Sequence, residues 1–407
     1  MKITSIEIFN VHMSNPCAPG YSPVCVRVNT DDGVCGWGES GIPVMSGRDA
    51  AAELIREIAP FVIGLDPLEH EVVWQRLYHN GYWCYAGGSI AFAAISALDM
   101  AMWDIKGKVA GLPLYKLLGG KVNESIRAYA SQIQLGWGGW KGPIVTPEEY
   151  AEQARRAVAQ GFTAVKVDPL WTDDKGLCTN PQRIYKTKDQ VSAWEWKKLD
   201  NMYQIKTVSD RVGAIRDAVG DSVGIVIELH GMTDVNTSIQ IGRELDQYNC
   251  LYYEEPGQSM DYRYTKMLKD NVKTCVATGE RIGSAWGFKP FIENRAIDVA
   301  QPDLGVVGGI TEMKKICDFA NLYDVGVQIH CMSGPICCAA TLHMETAMPN
   351  FVYHEHLAWN ELDKFKAMGK FQDWGFQDGS YVVSERPGIG QELSDEAIAC
   401  STVVTVK

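Results

Sequence analysis

The sequence predicts an α/β protein, a modified TIM-type (β/α) barrel with an α+β capping domain formed by the N-terminal region and the C-terminal tail. Three observations lead to it. Between residues 127 and 355, eight short apolar runs alternate with amphipathic stretches, and eight β/α units over that length fit a barrel that typically takes about 250 residues. The chain ahead of them has a different rhythm, an antiparallel hairpin followed by helices. Three of the apolar runs end in a glutamate, at Glu228, Glu254 and Glu280, each 26 residues from the next. That interval is about one strand plus one helix, so the three carboxylates are expected to converge at one rim of the barrel.

At 407 residues the chain is too long for one small core. The boundaries are expected at 1–125 for the capping domain, 126–368 for the barrel, and 369–407 for a tail that returns to the cap. Residues 1–9 alternate apolar and polar and read as a strand. Residues 23–29 and 33–39 flank Thr30-Asp-Asp-Gly33, a hairpin turn signal. Residues 50–118 read as helical. Within them Ser89 to Lys108 places Ala, Ile, Leu, Met and Trp at helical spacing, Gly111-Leu-Pro113 stops the helix, and Gly119-Gly120 marks the boundary. Barrel strands are expected at 127–132, 164–168, 224–230, 251–255, 275–280, 298–303, 326–330 and 351–355, with Ile310 to Tyr323 among the helices between them. The stretch 170–197 is longer than a βα connection should be and rich in Trp, Lys, Asp and Pro, which reads as a lid or a subunit contact. In the tail, residues 379–384 read as strand.

Composition narrows the function classes. The 46% hydrophobic and 22% charged content is that of a soluble globular chain. No apolar run is long enough to span a bilayer and the start lacks a basic-then-apolar leader, so a cytoplasmic protein without a membrane partner is expected. A net charge of −12 argues against nucleic acid as a partner. It leaves room for an anionic small substrate if a cation sets the local field. The twelve cysteines contain no C-x-x-C, which points to a reduced protein rather than a disulfide scaffold. Gly-rich runs at 85–88 and 136–139 fit neither a phosphate loop nor a dinucleotide fingerprint.

Three carboxylates from successive parallel strands make a site for a hard divalent cation. Strand-end carboxylates also stand in solvent or cap helices, but regular spacing of three favours a metal. Mg²⁺ needs few protein ligands and keeps positions open for substrate oxygens, whereas zinc would want His or Cys. His330 ends the seventh run and Asp303 the sixth, and neighbouring barrel strands set such residues side by side. A His–Asp pair fixes the imidazole tautomer and raises its basicity, as a general base near neutral pH requires. His230 lies two residues beyond Glu228. If the strand continues, the two share a face and His230 is a second proton-transfer group. Lys166 and Asp168 share a face in the same way, and read equally as pocket residues or as an interior ion pair. Glu355 ends the eighth run, in reach of a substrate oxyanion, while His354 and His356 alternate away from it.

With these residues on the page, the chain resembles the enolase superfamily. The segment from Ala97 to Gly120, Ala-Leu-Asp-Met-Ala-Met-Trp-Asp-Ile-Lys-Gly-Lys-Val-Ala-Gly-Leu-Pro-Leu-Tyr-Lys-Leu-Leu-Gly-Gly, resembles that family's capping-domain signature. Glu228, Glu254 and Glu280 match its three barrel-strand ligands. Asp303 and His330 resemble the His–Asp dyad of the mandelate racemase subgroup, and His230 resembles the extra His of acid-sugar dehydratases such as the galactonate and mannonate dehydratases. The resemblance implies one Mg²⁺ per subunit, a small-molecule sugar acid as substrate, and a homo-oligomer. It implies a hydro-lyase in which His330 takes the C2 proton, His230 protonates the departing 3-hydroxyl, Glu355 donates a hydrogen bond to the intermediate, and Lys166 sits by the substrate carboxylate.

Two departures qualify that expectation. Many relatives have Asp where this chain has Glu228, one methylene longer. Racemases of the mandelate type have Lys where this chain has Asp168, so dehydration ranks above racemisation or epimerisation. The Arg and Tyr pair associated with mannonate dehydratases is not recognisable near residues 135–143, which favours a galactonate-like site. Specificity is expected from cap loops near 13–22 and 45–49. The remaining alternative is a barrel without catalysis that binds a sugar acid as a regulator.

Overall fold

The computed structural model describes residues 1–13, 21–85, 87–139, 144–173 and 201–407. The stretch expected to form a lid or subunit contact therefore lies mostly outside the described residues. The N-terminal part opens with β1 (Ile3–Val11), β2 (Val24–Thr30) and β3 (Cys35–Ser40), antiparallel in that order, with the predicted hairpin turn between the last two. Four helices follow, α1 (Met45–Ile58), α2 (His70–Asn80), α3 (Ser89–Ala110) and α4 (Leu114–Leu117). The stop signal of α3 works as predicted: Gly111 takes a left-handed φ of 65°, and its N–H bonds the carbonyls of Gly107 and Lys108.

The barrel strands and helices then alternate: β4 (Ile126–Ser131), α5 (Pro147–Ala159), β5 (Ala164–Val167), α6 (Asn201–Val219), β6 (Gly224–Glu228), α7 (Val235–Leu245), β7 (Tyr252–Glu254) and α8 (Tyr262–Lys269). They continue with β8 (Val276–Thr278), α9 (Ser284–Glu293), β9 (Val299–Ala300), α10 (Gly309–Leu322), β10 (Gly326–Val327), α11 (Pro335–Ala347) and β11 (His354–Leu357). Neighbours from β4 to β10 pair in chain order and in parallel. β11 pairs with β4, and a parallel bridge from Val327 to Phe351 joins the two ends into a ring of eight. Val226, Tyr252, Ala277 and Val299 form one apolar cluster of the strands, and Tyr129, Ala164 and Tyr353 another.

The ladders are shorter than the apolar runs predict. β6 stops at Glu228 instead of His230, β8 at Thr278 instead of Glu280, and β11 is displaced to His354–Leu357. At the rim the backbone leaves the extended region to turn toward the next helix: φ is 48° at His230, 38° at Glu255 and 154° at Gly279. Side chains beyond those points no longer obey strand alternation.

The tail holds α12 (Asp363–Met368), β12 (Phe376–Gln377), β13 (Ser380–Tyr381), α13 (Asp395–Ala399) and β14 (Ser401–Val406). β14 pairs antiparallel with β1 and adds a fourth strand to the sheet of β1, β2 and β3. The β12–β13 hairpin instead adds to the barrel strand β4. Among the described residues, no helix is long and apolar enough to cross a membrane.

Helix α3 is the seam between cap and barrel, with β3 on one side and α10 on another, which is why most of it is buried. The strand approaches so closely that Cβ atoms on Gly36 and Gly38 would lie 2.1 and 1.9 Å from the carbonyl oxygens of Ala101 and Ala97, so only glycine fits. On the barrel side, buried Asp99 accepts the Thr311 N–H at 3.0 Å and its hydroxyl at 2.6 Å, in the first turn of α10. Burial pushes the Asp99 carboxyl from 3.8 up to about 7, against the pull of those bonds. A folded value above the unfolded one means stability that is full below pH 3.8 and lost as pH rises through about 7. The whole interval is worth at most about 4 kcal/mol. Urea melts at pH 5 and pH 8 should therefore show the wild type's advantage over Asp99→Asn shrinking as pH rises. An advantage that does not change between the two pH values would mean that Asp99 is ionised throughout.

Candidate active site

The acidic triad assembles at the C-terminal rim of the barrel. Glu228 and Glu254 are the last residues of β6 and β7 and lie in register, and Glu280 follows β8 after Gly279. One carboxylate oxygen from each lies within 4.8 Å of the other two. Glu228 and Glu254 are fully buried, and in each the Oε2 atom has no hydrogen-bond partner among the described residues. Burial raises both carboxyls above the usual range, and for Glu254 the neighbouring Glu228 adds to the shift. Glu280 is held well below it, because Arg281, His330 and His230 together outweigh its burial. Buried carboxylate oxygens without donors are costly and want a cation. Octahedral Mg²⁺ with Mg–O near 2.0–2.1 Å sets its ligands about 2.9 to 4.2 Å apart, so small side-chain movements would close this set on an ion. The donors are all oxygen, which suits Mg²⁺ rather than zinc.

Lys166 sits beneath the triad, 1% exposed. Its Nζ is 2.8 Å from Glu254 Oε1, 2.8 Å from Glu355 Oε1 and 3.7 Å from Glu228 Oε2. Burial opposes its charge, but the three carboxylates outweigh burial and hold the ammonium well above the ordinary lysine range. Lys166 and Asp168 do not pair with each other.

Asp168 turns to His230 instead, with Oδ2 2.8 Å from Nδ1. The expectation that Glu228 and His230 share a strand face is incorrect, since His230 lies in a left-handed turn past the strand. It still reaches the triad. Its backbone N–H donates to Glu228 Oε1 at 2.5 Å, and its Nδ1 is 3.9 Å from the same oxygen.

The expected His330–Asp303 pair is present, Nδ1 to Oδ2 at 2.7 Å. His330 Nε2 points at the triad, 3.2 Å from Glu280 Oε2 and 3.9 Å from Glu355 Oε2. Burial lowers its basicity, but Glu280, Glu355 and Asp303 prevail and push the imidazole up to about 10.

Glu355 departs from expectation in position and state. It is the second residue of β11, not its last. It accepts from Ser131 Oγ at 2.6 Å, from the Cys331 N–H at 2.9 Å, and from Lys166. Lys166 and His330 outweigh its burial and hold it well below the usual carboxylate range. In this arrangement its oxygens are all engaged as acceptors, where the resemblance implies a donor. His354 and His356 do face away, toward Glu345 and Tyr381.

Two residues escaped the sequence reading. Arg281 places Nη2 2.7 Å from Glu280 Oε1 and Nε 3.1 Å from Glu255 Oε2, fixing the third triad member. The signal was available, since Glu255 and Arg281 repeat the 26-residue interval one position on. Arg281 also lines a cleft of about 1050 Å³ between cap and barrel, together with Tyr78, Tyr85, Phe92 and Trp286.

The ring order gives the site its symmetry. β6 and β10 are four strands apart in a ring of eight, so the imidazoles that follow them, His230 and His330, approach the triad from opposite sides, each held by an Asp that follows the preceding strand. Two imidazoles flanking a carboxylate triad can take a proton from one place and deliver one to another.

Two family models match the chain. One described as mandelate racemase / muconate lactonizing enzyme, N-terminal domain, matches residues 5–119, and one described as enolase C-terminal domain-like matches residues 149–397. The D-galactonate dehydratase of Pectobacterium atrosepticum is 31% identical over 403 residues, covering 98% of this chain and 94% of its own length. That of Xanthomonas euvesicatoria is 32% identical with the same coverage. Among solved structures, a protein from Salmonella typhimurium described as a member of the enolase superfamily is 42% identical, with a TM-score of 0.91 over 100% of both chains. A candidate dehydratase from Zymomonas mobilis is also 42% identical, with a TM-score of 0.90 over 100% of this chain and 99% of its own.

Proposed function

We propose that this chain, which belongs to the mandelate racemase / muconate lactonizing enzyme branch of the enolase superfamily, is an Mg²⁺-dependent dehydratase of an aldonic acid. The observation that carries the reading is the pair of His–Asp units on opposite sides of the Glu228–Glu254–Glu280 triad. Elimination of water from a sugar acid needs a base for the C2 proton and a separate acid for the departing 3-hydroxyl, and the site offers one imidazole for each.

Glu228, Glu254 and Glu280 would hold the cation, whose chemistry is Lewis-acid stabilisation of negative charge on the substrate's carboxyl group. In its neutral form, which a cation on Glu280 would favour by offsetting the charge that raises the imidazole, His330 takes the C2 proton at Nε2, the nitrogen that Asp303 does not hold, and Asp303 stabilises the resulting imidazolium. His230 delivers a proton from Nε2 to the 3-hydroxyl as it leaves, with Asp168 fixing its tautomer. Lys166 supplies positive charge to the carboxylate end of the site. Glu355 holds Lys166 and the Cys331 amide beside the base, a positioning task that suits an acceptor. The product is a 2-keto-3-deoxy acid.

D-Galactonate is the first substrate to test, because the curated relatives above are D-galactonate dehydratases. A panel of hexonic and pentonic acids, incubated with Mg²⁺ and read by a 2-keto acid assay, is expected to identify at least one that turns over. No turnover of any, with no exchange of C2 hydrogen in D₂O, would sink the reading. The same opposed imidazoles also suit a racemase or epimerase, which needs a base on each face of the carbon. Exchange at C2 with the 3-hydroxyl retained would favour that second reading.

A further inference from the structure

We infer that Glu39, a carboxylate of the capping domain, is a positioning residue for the His330–Asp303 pair; this rests on reading His330 as the base. Glu39 is the fifth residue of β3 and has no exposed surface. Its Oε1 accepts the N–H of Gly334, and its Oε2 accepts those of Ile336 and Cys337 at 3.1 Å each. These are amides at the start of α11, whose N-cap residue, Gly334, has no side chain with which to bond them. A helix start leaves four N–H groups without partners inside the helix. They are usually met by the residue just ahead. Here the acceptor comes from another part of the fold, 295 residues away in sequence, and its charge also meets the positive end of the helix.

Helix α11 begins five residues after His330. The Cys331 amide beside the base is tied to Glu355 and the far end of the connection is tied to Glu39. A Cβ on Gly334 would lie 2.7 Å from Glu39 Oε1, so the contact leaves no slack. The same strand also reaches the other partner. Just past β3, the Gly41 N–H donates to the Gly305 carbonyl at 2.8 Å, and the Gly305 N–H donates to Asp303 Oδ1 at 2.8 Å. A Cβ on Gly41 would meet Asp303 Oδ1 at 2.7 Å. Residues 39–41 therefore grip the connection behind His330 and the loop behind Asp303 together. Docking of the cap sets the geometry of the base, and a displacement of about 1 Å at such a group costs roughly 100-fold in rate.

The test uses the full-length Mg²⁺-loaded protein and the variants Glu39→Gln and Gly334→Ala, the second displacing the carboxylate without removing its charge. The first readout needs no substrate: the far-downfield NMR proton of the His330 Nδ1–Asp303 bond, assigned by its loss in His330→Asn. The second is kcat and KM on whichever acid the panel identifies. The expected result is that both variants shift or lose the resonance, with kcat down about 10- to 100-fold and KM within about twofold. A folded Glu39→Gln with the resonance and kcat unchanged would overturn the inference, as would a lower melting temperature alone. So would a wild-type protein without such a resonance. Should Glu39→Gln fail to fold, Gly334→Ala decides. If no acid turns over, the resonance still decides, so failure of the dehydratase reading and failure of this one are told apart.

Discussion

His330→Asn is expected to lower turnover of the sugar acid by about 1,000-fold or more and to abolish exchange of the C2 hydrogen with D₂O. Removal of a general base typically costs about 10² to 10⁴ in rate, and among the described residues no second imidazole pairs with Glu280. Nε2 of His330 lies 3.2 Å from Glu280, the Arg281 guanidinium beside the same carboxylate stays protonated and cannot act as a base, and Asn presents no base there. His230→Asn makes the complementary case. It leaves His330 and the triad intact, so C2 exchange should persist while loss of the 3-hydroxyl falls by about 100-fold or more. The contrast matters more than either loss, because a fall in both processes in both variants is what generalised damage to the site would give. Retention of C2 exchange in His330→Asn would remove it from the role of base. If exchange stopped in His230→Asn as well, the two imidazoles would be acting as one unit and the division into acid and base would be wrong.

How far the site was legible depended on how local its causes are. Glu228 and Glu254 were readable because a parallel strand and its return helix repeat at nearly constant length, and both residues sit at the last ladder position. Glu280 reaches the other two carboxylates by a different route from the one its run predicts. Its run leaves the ladder at Thr278, and the side chain arrives by way of Gly279. His230 shows the same limit more sharply. Strand alternation predicted its direction, yet a left-handed turn supplies it, and no run of apolar residues reports where a strand peels away from its neighbour. Nothing in the sequence pairs His230 with Asp168, because pairing between two βα loops is a property of the ring. Glu39 was invisible altogether. A buried carboxylate at the end of a cap strand carries no sign of a helix start 295 residues further on.

Glu228 was expected to be where the chain differs from its relatives, because of the extra methylene. The structure supplies a use for that length. Oε1 accepts the His230 amide while Oε2 stays without a hydrogen-bond partner beside Glu254 and Glu280. An added carbon thus lets one carboxylate fix the turn that carries His230 and still leave an oxygen facing Glu254 and Glu280.

Lys166→Met is expected to destabilise the metal-free protein by about 3–5 kcal/mol, the usual cost of removing one partner from a buried ion pair. Here one ammonium stands against three carboxylates, those of Glu228, Glu254 and Glu355, all essentially buried. Methionine matches the stem of lysine in length, so little of the loss comes from packing; most comes from charge left without a counterion. The same reasoning fixes the response to metal. A cation held by Glu228, Glu254 and Glu280 neutralises two of the carboxylates that Lys166 served. Mg²⁺ should therefore stabilise the variant more than the wild type, where the ammonium already does part of that work. Ligand at about 100 times its dissociation constant contributes about 2.7 kcal/mol, enough to recover much of the deficit but not the share owed to Glu355, which the triad does not include. Urea melts of both proteins in chelator and in excess Mg²⁺ measure all four states. If Lys166→Met matched the wild type in chelator, the carboxylates would be protonated at rest and Lys166 would not be their counterion. If Mg²⁺ shifted neither protein, the triad would not be a cation site.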